Sequence, residues 1–300
     1  MKTVKIGEVE ICYEIFGEEN TETIVLISGL GSHMIRWENT FCQLLVDKGF
    51  RVIRFDNRDS GSSVYIPGKE IHLNGNIPEY FSTLKPEDLP YSLMDMAKDV
   101  IGLLNHLRIE KAHFAGRSMG GIIAQLLGSY FPERVLSLTI IMSTSLHPAL
   151  PSANPEVMEM MMKPSANPIT EREMYFAEKI SFAQRISGSG YPFDQNLEIA
   201  LIEKELNRSK TKNGIIRQLL AIGSYSYTPE VLKKIQAPVL VIHGTDDPIF
   251  HPECGKDIAD TIPNAEFVLL EGMGHTVPKE LFGEISELIL SQKEYNERNH

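Results

Sequence analysis

One pentapeptide in the chain has the residue types and spacing of a nucleophilic serine. Gly116-Arg117-Ser118-Met119-Gly120 lies between an apolar run typical of a strand and one typical of a helix. A serine on a sharp strand-to-helix turn has strained dihedrals and close neighbours, and glycines on both sides remove the side chains that would clash. The turn also brings the hydroxyl near a helix N-terminus, where backbone N–H groups can hold a developing oxyanion. Ser118 is therefore the predicted nucleophile, although unrelated proteins carry the same pattern as a small-residue turn.

A serine hydroxyl is a weak nucleophile and needs a base, for which His275 is the prediction. His275 follows Gly272-Met273-Gly274, just beyond a strand that ends near Leu270. Open α/β sheets meet their ligands at the carboxyl ends of the strands, which favours His275 over a locally bonded loop histidine. Among the other histidines, His33 is a candidate for lining the pocket. His243 lies within a strand and is interpreted as a core residue.

Two adjacent aspartates are candidates for the acid that orients the base. Asp246 and Asp247 follow the apolar run at residues 238–242. The acid has to be buried within reach of the histidine. Neighbouring side chains in an extended loop point in different directions, so only one of the two can serve. Asp247 is the prediction and Asp246 the reserve, and a plain solvated turn is the favoured interpretation of Asp246.

Alternating strands and helices have to position these residues. Apolar runs predict strands at residues 24–27, 52–55, 112–115, 135–142, 238–242 and 267–270. Runs without polar alternation are typical of strands covered on both faces, as in a parallel sheet. Residues 4–16 predict an opening hairpin, and Ser92 with Asp95 resembles the capping box of a helix. The pattern predicts an α/β domain with a mostly parallel central sheet and helices on both faces.

A helical block interrupts this domain. Between about residues 146 and 228 there is no convincing strand pattern, and amphipathic stretches alternate with prolines. We expect residues 1–145 and 229–300 to form the α/β core and residues 146–228 to form a helical cap inserted in it. Residues 66–90 carry four prolines without a sustained period and predict an irregular excursion over the surface.

Composition narrows the partners and the location. The chain has 300 residues, a formal net charge of −11 and three cysteines. The acidic balance argues against a nucleic-acid or anionic-membrane surface, which needs a basic patch. No apolar run is long enough to span a membrane and no signal peptide is visible, so a cytoplasmic protein is expected. Cys12, Cys42 and Cys254 lack metal-ligand spacing and are expected to be buried and without disulfides.

The chain order Ser118, Asp247, His275 resembles the α/β-hydrolase superfamily, whose members have nucleophile, acid and histidine in that order. The resemblance spans nearly the whole chain, and the helical block corresponds to the family's cap. Residues 56–63 resemble a loop that is structural in the family, with Asp59 where glycine is usual. No catalytic role is expected for that loop.

The resemblance also implies an oxyanion hole. Members of the family usually carry a His-Gly step after the third strand, where this chain has Ser28-Gly29. The residue after that glycine commonly gives one oxyanion N–H, which corresponds to Leu30. The residue after the nucleophile gives the second, which corresponds to Met119.

A serine nucleophile divides the superfamily by chemistry. Haloalkane dehalogenases and epoxide hydrolases use an aspartate at that position, so Ser118 argues against both. A serine with an oxyanion hole suits acyl transfer, and the expected function is hydrolysis of small to medium apolar carboxylic esters through an acyl-enzyme, without metal or cofactor. Apolar cap residues either line the pocket or pack the cap itself; they are Met158, Met160, Met161, Met162, Phe176 and Phe182.

Two other classes of function stay open at this stage. One is different chemistry on the same scaffold: a carbon–carbon bond hydrolase, a cofactor-free haloperoxidase or perhydrolase, or a methylesterase of a polyketide-like compound. The aspartate-rich loop after Phe55 faintly resembles the methylesterases. The other class is a receptor that has kept the fold and lost turnover. The sequence does not predict the oligomeric state.

Overall fold

Nine strands build one sheet in the part of the chain that the computed structural model describes: residues 1–66, 89–210 and 214–299, with side chains up to residue 292. The strands are β1 (Lys2–Ile6), β2 (Val9–Phe16), β3 (Glu22–Ile27), β4 (Phe50–Phe55), β5 (Val64–Tyr65), β6 (Ala112–Arg117), β7 (Val135–Ile141), β8 (Val239–Gly244) and β9 (Glu266–Leu270). Each of the six predicted apolar runs overlaps one strand, and β1 with β2 forms the predicted hairpin.

Ten α-helices occur among the same residues. They are α1 (Asn39–Asp47), α2 (Leu93–Leu107), α3 (Met119–Tyr130), α4 (Pro155–Met162), α5 (Arg172–Ile186), α6 (Gln195–Arg208), α7 (Gly214–Gly223), α8 (Pro229–Lys233), α9 (Pro252–Thr261) and α10 (Phe282–Asn299). The predicted capping box starts α2: the Asp95 N–H donates to Ser92 Oγ at 3.2 Å, and the Ser92 N–H donates to the Asp95 carboxylate at 3.0 Å. Two N–H groups at the start of the helix that would otherwise lack a partner are thus satisfied.

The sheet is mostly parallel, as predicted. Its strand order is β1-β2-β4-β3-β6-β7-β8-β9, with β5 paired to β2. The pairs of β2 with β1, β4 and β5 are antiparallel, and all pairs from β4 through β9 are parallel. The carboxyl ends of β3, β6, β8 and β9 therefore meet at one edge, where the loops with Leu30, Ser118, Asp247 and His275 begin.

Two apolar layers cover the two faces of this sheet. Alternate side chains of a strand point to opposite faces, so neighbours in β3 enter different layers. Val25 packs in one layer with residues of α2 and α3, such as Val100 and Ile123. Leu26 packs in the other layer with residues of α1 and α10, such as Phe41 and Ile285. The predicted helices on both faces are confirmed.

The described residues between β7 and Thr228 contain the helices α4 to α7 and no strand. We call residues 146–228 the helical segment; its division from the core as a separate cap stays a prediction. Arg36, in the loop after β3, binds two carboxylates of α6: its guanidinium lies 2.8 Å from Glu198 and 2.7 Å from Glu205. Arg208 lies 2.7 Å from Asp56 in the loop after β4. These ion pairs attach the helical segment to the sheet's carboxyl edge.

A third ion pair of this interface gives a stability prediction. Arg217 of α7 donates two hydrogen bonds, at 2.6 and 2.7 Å, to the carboxylate of Asp59, and both residues are buried. Arg217→Met removes the charged partner and its two hydrogen bonds from a buried carboxylate, which typically costs about 3–5 kcal/mol. We expect the free energy of unfolding in urea to fall by about 3 kcal/mol. The control is Lys256→Met, which removes an exposed pair with Asp260 and should cost about 0.3 kcal/mol. An equal loss in both variants would contradict the prediction.

Other expectations are met in part. Cys12, Cys42 and Cys254 are buried and form no disulfide, as predicted. Most of the predicted irregular excursion falls at residues 67–88, outside the described residues. Within the described ranges, no helix combines the length and apolar character needed to cross a bilayer.

Candidate active site

Ser118 occupies the sharp turn between β6 and α3. Its φ of 54° and ψ of −125° lie outside the regions that residues with side chains ordinarily adopt. A Cβ at Gly116 would lie 2.2 Å from the carbonyl oxygen of Gly120, and a Cβ at Gly120 would lie 2.2 Å from that of Ile27. No side chain fits at such distances, so the packing of this turn explains the glycine spacing in the sequence.

His275 lies in the loop after β9, with its ring beside Ser118. Nε2 is 3.0 Å from Ser118 Oγ. The helical segment holds this loop by its backbone: the His275 N–H donates to the Ile186 carbonyl at 2.6 Å, and the Gly274 N–H donates to that of Ser187 at 3.1 Å. A Cβ at Gly274 would lie 2.2 Å from the Ile186 oxygen, so the glycine before the histidine permits this contact.

Asp247 lies on the other side of the imidazole. Its Oδ2 is 2.7 Å from His275 Nδ1, and its Oδ1 accepts from the N–H groups of Ile249 and Phe250 at 2.8 and 2.9 Å. Burial alone raises the pKa of Asp247, but the charge of His275 and the donors of His275 and His243 outweigh it and hold that pKa well below its ordinary value. Asp247 is therefore ionised at neutral pH and accepts a hydrogen bond from the Nδ1–H group of His275. This leaves Nε2 free to accept a hydrogen bond from the Ser118 hydroxyl.

His243 is a contact of this carboxylate that the sequence interpretation missed. It ends the apolar run of β8 and is fully buried, in agreement with a core position. Its Nε2 also lies 2.8 Å from the Phe250 carbonyl and 3.4 Å from Asp247 Oδ2. The available signal was a polar residue ending an apolar strand four positions before the acid. His243 thus braces the loop that carries Asp247.

Asp246 points away from the histidine and binds the helical segment. Its Oδ2 accepts from the Ser189 N–H at 3.0 Å and from the Ser189 hydroxyl, and its Oδ1 accepts from Thr245 Oγ1 at 2.9 Å. These donors, Ser189 foremost, lower the pKa of Asp246. The side chain is therefore an anchor between two loops rather than a member of a plain solvated turn.

The two predicted oxyanion donors lie on chain segments that contact Ser118. Leu30 and Gly31 are the central residues of a turn in which the Ser32 N–H donates to the Gly29 carbonyl at 3.2 Å. A Cβ at Gly29 would lie 3.1 Å from Ser118 Cβ. Met119 is the first residue of α3, so its N–H belongs to the donors that have no partner within the helix. The oxyanion role of both residues stays a prediction.

The predicted apolar cap residues have different surroundings. Met161 and Phe182 pack on a small cluster of Val157, Ile186 and Ile249, and Phe250 joins the same cluster. The Phe250 ring meets the His275 ring edge-on, with 5.4 Å between centroids. The cluster therefore extends to the imidazole. The other four predicted residues lie outside this cluster: Met158 is exposed, and Met160, Met162 and Phe176 are half-buried.

This chain is similar over most of its length to a methylesterase and to an enol-lactonase. Rhodomycin D methylesterase DauP from Streptomyces sp. (strain C5) is 27% identical over 292 residues, with 90% of each chain covered. 3-Oxoadipate enol-lactonase 2 from Acinetobacter baylyi is 25% identical over 269 residues, covering 90% of this chain and 88% of the relative. The methylesterase and enol-lactonase activities of these relatives agree with the prediction of an ester-hydrolysing enzyme.

A solved structure shows the shared fold, and a family model shows the family. The enol-lactonase from Burkholderia xenovorans LB400 superposes with a TM-score of 0.71 at 23% identity, covering 97% of this chain and 99% of the other, and so shares the fold. The model of the alpha/beta hydrolase fold matches residues 22–280, which include every strand from β3 to β9 and all the predicted site residues. The chain therefore belongs to the α/β-hydrolase fold family.

Proposed function

We propose that the protein is a serine esterase that cleaves small carboxylic esters through an acyl-enzyme. The observation that carries the proposal is a continuous hydrogen-bonded chain: Ser118 Oγ to His275 Nε2 at 3.0 Å, and His275 Nδ1 to Asp247 Oδ2 at 2.7 Å. This is the arrangement in which a base activates a hydroxyl and an acid orients the base. Hydrolysis of p-nitrophenyl acetate and butyrate by the wild type and Ser118→Ala tests it.

In acylation, Ser118 is the nucleophile and His275 acts first as a base and then as an acid. Ser118 Oγ attacks the ester carbonyl carbon while its proton passes to His275 Nε2, and the carbonyl oxygen becomes an oxyanion. The N–H groups of Leu30 and Met119 are the proposed donors to it, and one such donor is typically worth about 3–4 kcal/mol in the transition state. The carbon–oxygen bond to the leaving group then breaks, and His275 returns its proton to the departing alcohol.

Deacylation reverses these proton transfers with water in place of the alcohol. Water attacks the acyl carbon while His275 Nε2 takes one of its protons. The bond between Ser118 Oγ and the acyl carbon breaks, Oγ recovers a proton from His275, and the carboxylic acid leaves. Asp247 stabilises the imidazolium in both halves of the cycle without itself taking a proton.

The helical segment is the proposed cap and the proposed source of substrate preference. The apolar cluster that includes Met161, Phe182 and Phe250 reaches the His275 ring, which favours an apolar group next to the reacting carbonyl. Methionine adapts to variable shapes, which favours broad rather than narrow acceptance. The net charge of −11 disfavours anionic substrates and fits a neutral ester.

Acyl-chain length gives a direct test of this preference. We expect kcat/KM to be higher for p-nitrophenyl acetate and butyrate than for the palmitate ester, because the apolar cluster is small and partly buried ion pairs hold the helical segment in place. Initial rates with soluble esters and with emulsified long-chain lipid measure it. Equal or faster turnover of the emulsified lipid would contradict the proposed substrate class.

A methylesterase is the second candidate, and a specific observation favours it. Two rhodomycin D methylesterases, at 27% and 26% identity, each match over 90% of both chains. In that case a methyl ester of a polyketide-like compound would be the substrate, and methanol release from such esters would exceed release of p-nitrophenol. The same assay panel, extended with β-diketones and with peroxide plus bromide, separates the carbon–carbon hydrolase and the haloperoxidase or perhydrolase. Absence of turnover together with ligand binding would indicate a receptor.

A further inference from the structure

We propose that Gln218 of α7 positions the oxyanion turn, so that the helical segment takes part in building the oxyanion hole. The inference rests on the proposed esterase function and names a positioning residue for the same site. Gln218 lies 100 residues beyond Ser118 in sequence, and its position in the helical segment gave no sequence signal for such a role.

Both polar atoms of the Gln218 side chain make hydrogen bonds to the loops after β3 and β4. Its Oε1 accepts from the Gly31 N–H at 2.8 Å. Its Nε2 donates to the Arg58 carbonyl at 2.7 Å and to Ser60 Oγ at 2.9 Å. The residue has no solvent-exposed surface. A buried amide with all these bonds satisfied fixes its partners in one arrangement, and losing it leaves buried donors and acceptors without partners.

The Gly31 N–H belongs to the central peptide of the turn that carries Leu30. In that turn the Ser32 N–H donates to the Gly29 carbonyl at 3.2 Å. Gly31 has a φ of +63°, as the third residue of a type II turn requires, and the turn type defines the orientation of its central peptide. The bond from Gln218 fixes that orientation. Leu30, the proposed oxyanion donor, is therefore held between Gly29, which contacts Ser118, and a peptide bonded to α7.

The helix that carries Gln218 is itself firmly seated. Arg217, the preceding residue, binds Asp59 with two hydrogen bonds. A Cβ at Gly214 would lie 2.1 Å from the Asp59 carbonyl oxygen, which shows how closely the start of α7 approaches the loop after β4. On the turn itself, Ile215 Cδ1 lies 3.0 Å from the point where a Cβ at Gly31 would be. A rigid support of this kind lets a single side chain set the geometry of a donor in the site.

The first test is Gln218→Met, which keeps the length of the side chain and removes its hydrogen bonds. Because a misplaced donor weakens the transition state more than the ground state, we expect kcat for p-nitrophenyl acetate to fall about 10- to 100-fold, less than the loss of a whole donor. KM should stay within about threefold of the wild-type value, since ground-state binding does not use the oxyanion hole. The inhibition constant of phenylboronic acid, whose serine adduct places an oxygen in the hole, should rise by about the same factor as kcat falls.

A second variant, Gln218→Glu, gives a readout that loss of stability does not imitate. Its carboxyl group accepts from the Gly31 N–H in either protonation state, but only the protonated form donates to the Arg58 carbonyl in place of the amide. Ionisation would set a negative oxygen against that carbonyl. We therefore expect the ratio of kcat for the variant to kcat for the wild type to rise as the pH falls from about 8 to about 6.

The matched control is Gln125→Met, which removes another buried glutamine. Gln125 donates to the Gly121 and Thr144 carbonyls and has no bond to the oxyanion turn. The Gln125→Met variant should lose stability without the matching changes in kcat and in boronate inhibition.

The outcomes separate this inference from the proposed function. If Gln218→Met keeps kcat and the boronate inhibition constant within about threefold of the wild type while Ser118→Ala is inactive, the inference is overturned and the esterase proposal stands. If Gln218→Met fails to fold, a ratio for Gln218→Glu that does not change with pH overturns it. If Ser118→Ala keeps full activity, both fail together.

Discussion

Ser118→Ala is expected to lower kcat for p-nitrophenyl butyrate by about 10⁵- to 10⁶-fold, the largest effect of any single substitution in this chain. The variant removes the atom that is proposed to form the acyl-enzyme bond, and His275, whose Nε2 lies 3.0 Å from Ser118 Oγ, then has no hydroxyl to activate. The residual rate over water comes from the oxyanion donors and from binding. Stopped-flow and long end-point assays at saturating substrate measure the two rates.

The control for this variant is Ser129→Ala. Ser129 belongs to the same helix α3, is buried, and its hydroxyl has no hydrogen-bond partner among the described residues. Removing that hydroxyl should leave kcat within about twofold of the wild-type value, because nothing in the site contacts it. A serine-reactive phosphonate should label the wild type and Ser129→Ala once each and should leave Ser118→Ala unlabelled. Wild-type activity in Ser118→Ala would end the proposed mechanism.

Asp247→Asn is expected to lower kcat by about 10⁴-fold while the protein stays folded. The side chain keeps its shape, but an amide cannot accept at both of its atoms. Its oxygen is needed by the Ile249 and Phe250 N–H groups, so its NH₂ faces His275 Nδ1. The imidazole then carries its proton on Nε2 and can no longer accept from Ser118. Kinetics over a range of pH, with circular dichroism to verify folding, measure the effect.

Asp246→Asn provides the comparison at the adjacent position. Its bonds go to Ser189 and Thr245, and none reaches the histidine. The loss in kcat should be less than about tenfold, with a modest decrease in the free energy of unfolding from the weakened anchor. A larger loss for Asp246→Asn than for Asp247→Asn would reverse the assignment of the acid.

The central strands β3, β4, β6, β7 and β8 were predictable because they are buried on both faces and leave nearly unbroken apolar runs. The turn at Ser118 was predictable for a different reason: its two glycines are demanded by contacts of 2.2 Å, so the local sequence records the close approach. It was predictable that only one of Asp246 and Asp247 would meet His275, because adjacent side chains of an extended loop point apart. In these places local geometry determines residue type.

Contacts between residues far apart in the sequence could not be predicted in this way, because no local pattern of residue types indicates them. Gln218 reads as one polar residue in an amphipathic helix, and its bond to Gly31 spans 187 positions. His243 has the ordinary appearance of a core histidine until the loop at Asp247 folds back on it. The contact between Asp246 and Ser189 was not predictable, because Ser189 belongs to the helical segment and a periodicity pattern does not show where that segment packs. A solvated turn was expected for Asp246 instead.

The backbone bonds from Ile186 and Ser187 to the histidine loop have a consequence for protein engineering. Together with the proposed role of Gln218, they would make the helical segment carry part of the catalytic geometry as well as the proposed substrate preference. We expect a chimera that received this segment from a relative to gain the relative's substrate range only if the new segment also bonded to the His275 backbone and to the Gly31 N–H. Under these proposals substrate preference and turnover depend on the same stretch of sequence, so neither can be exchanged alone.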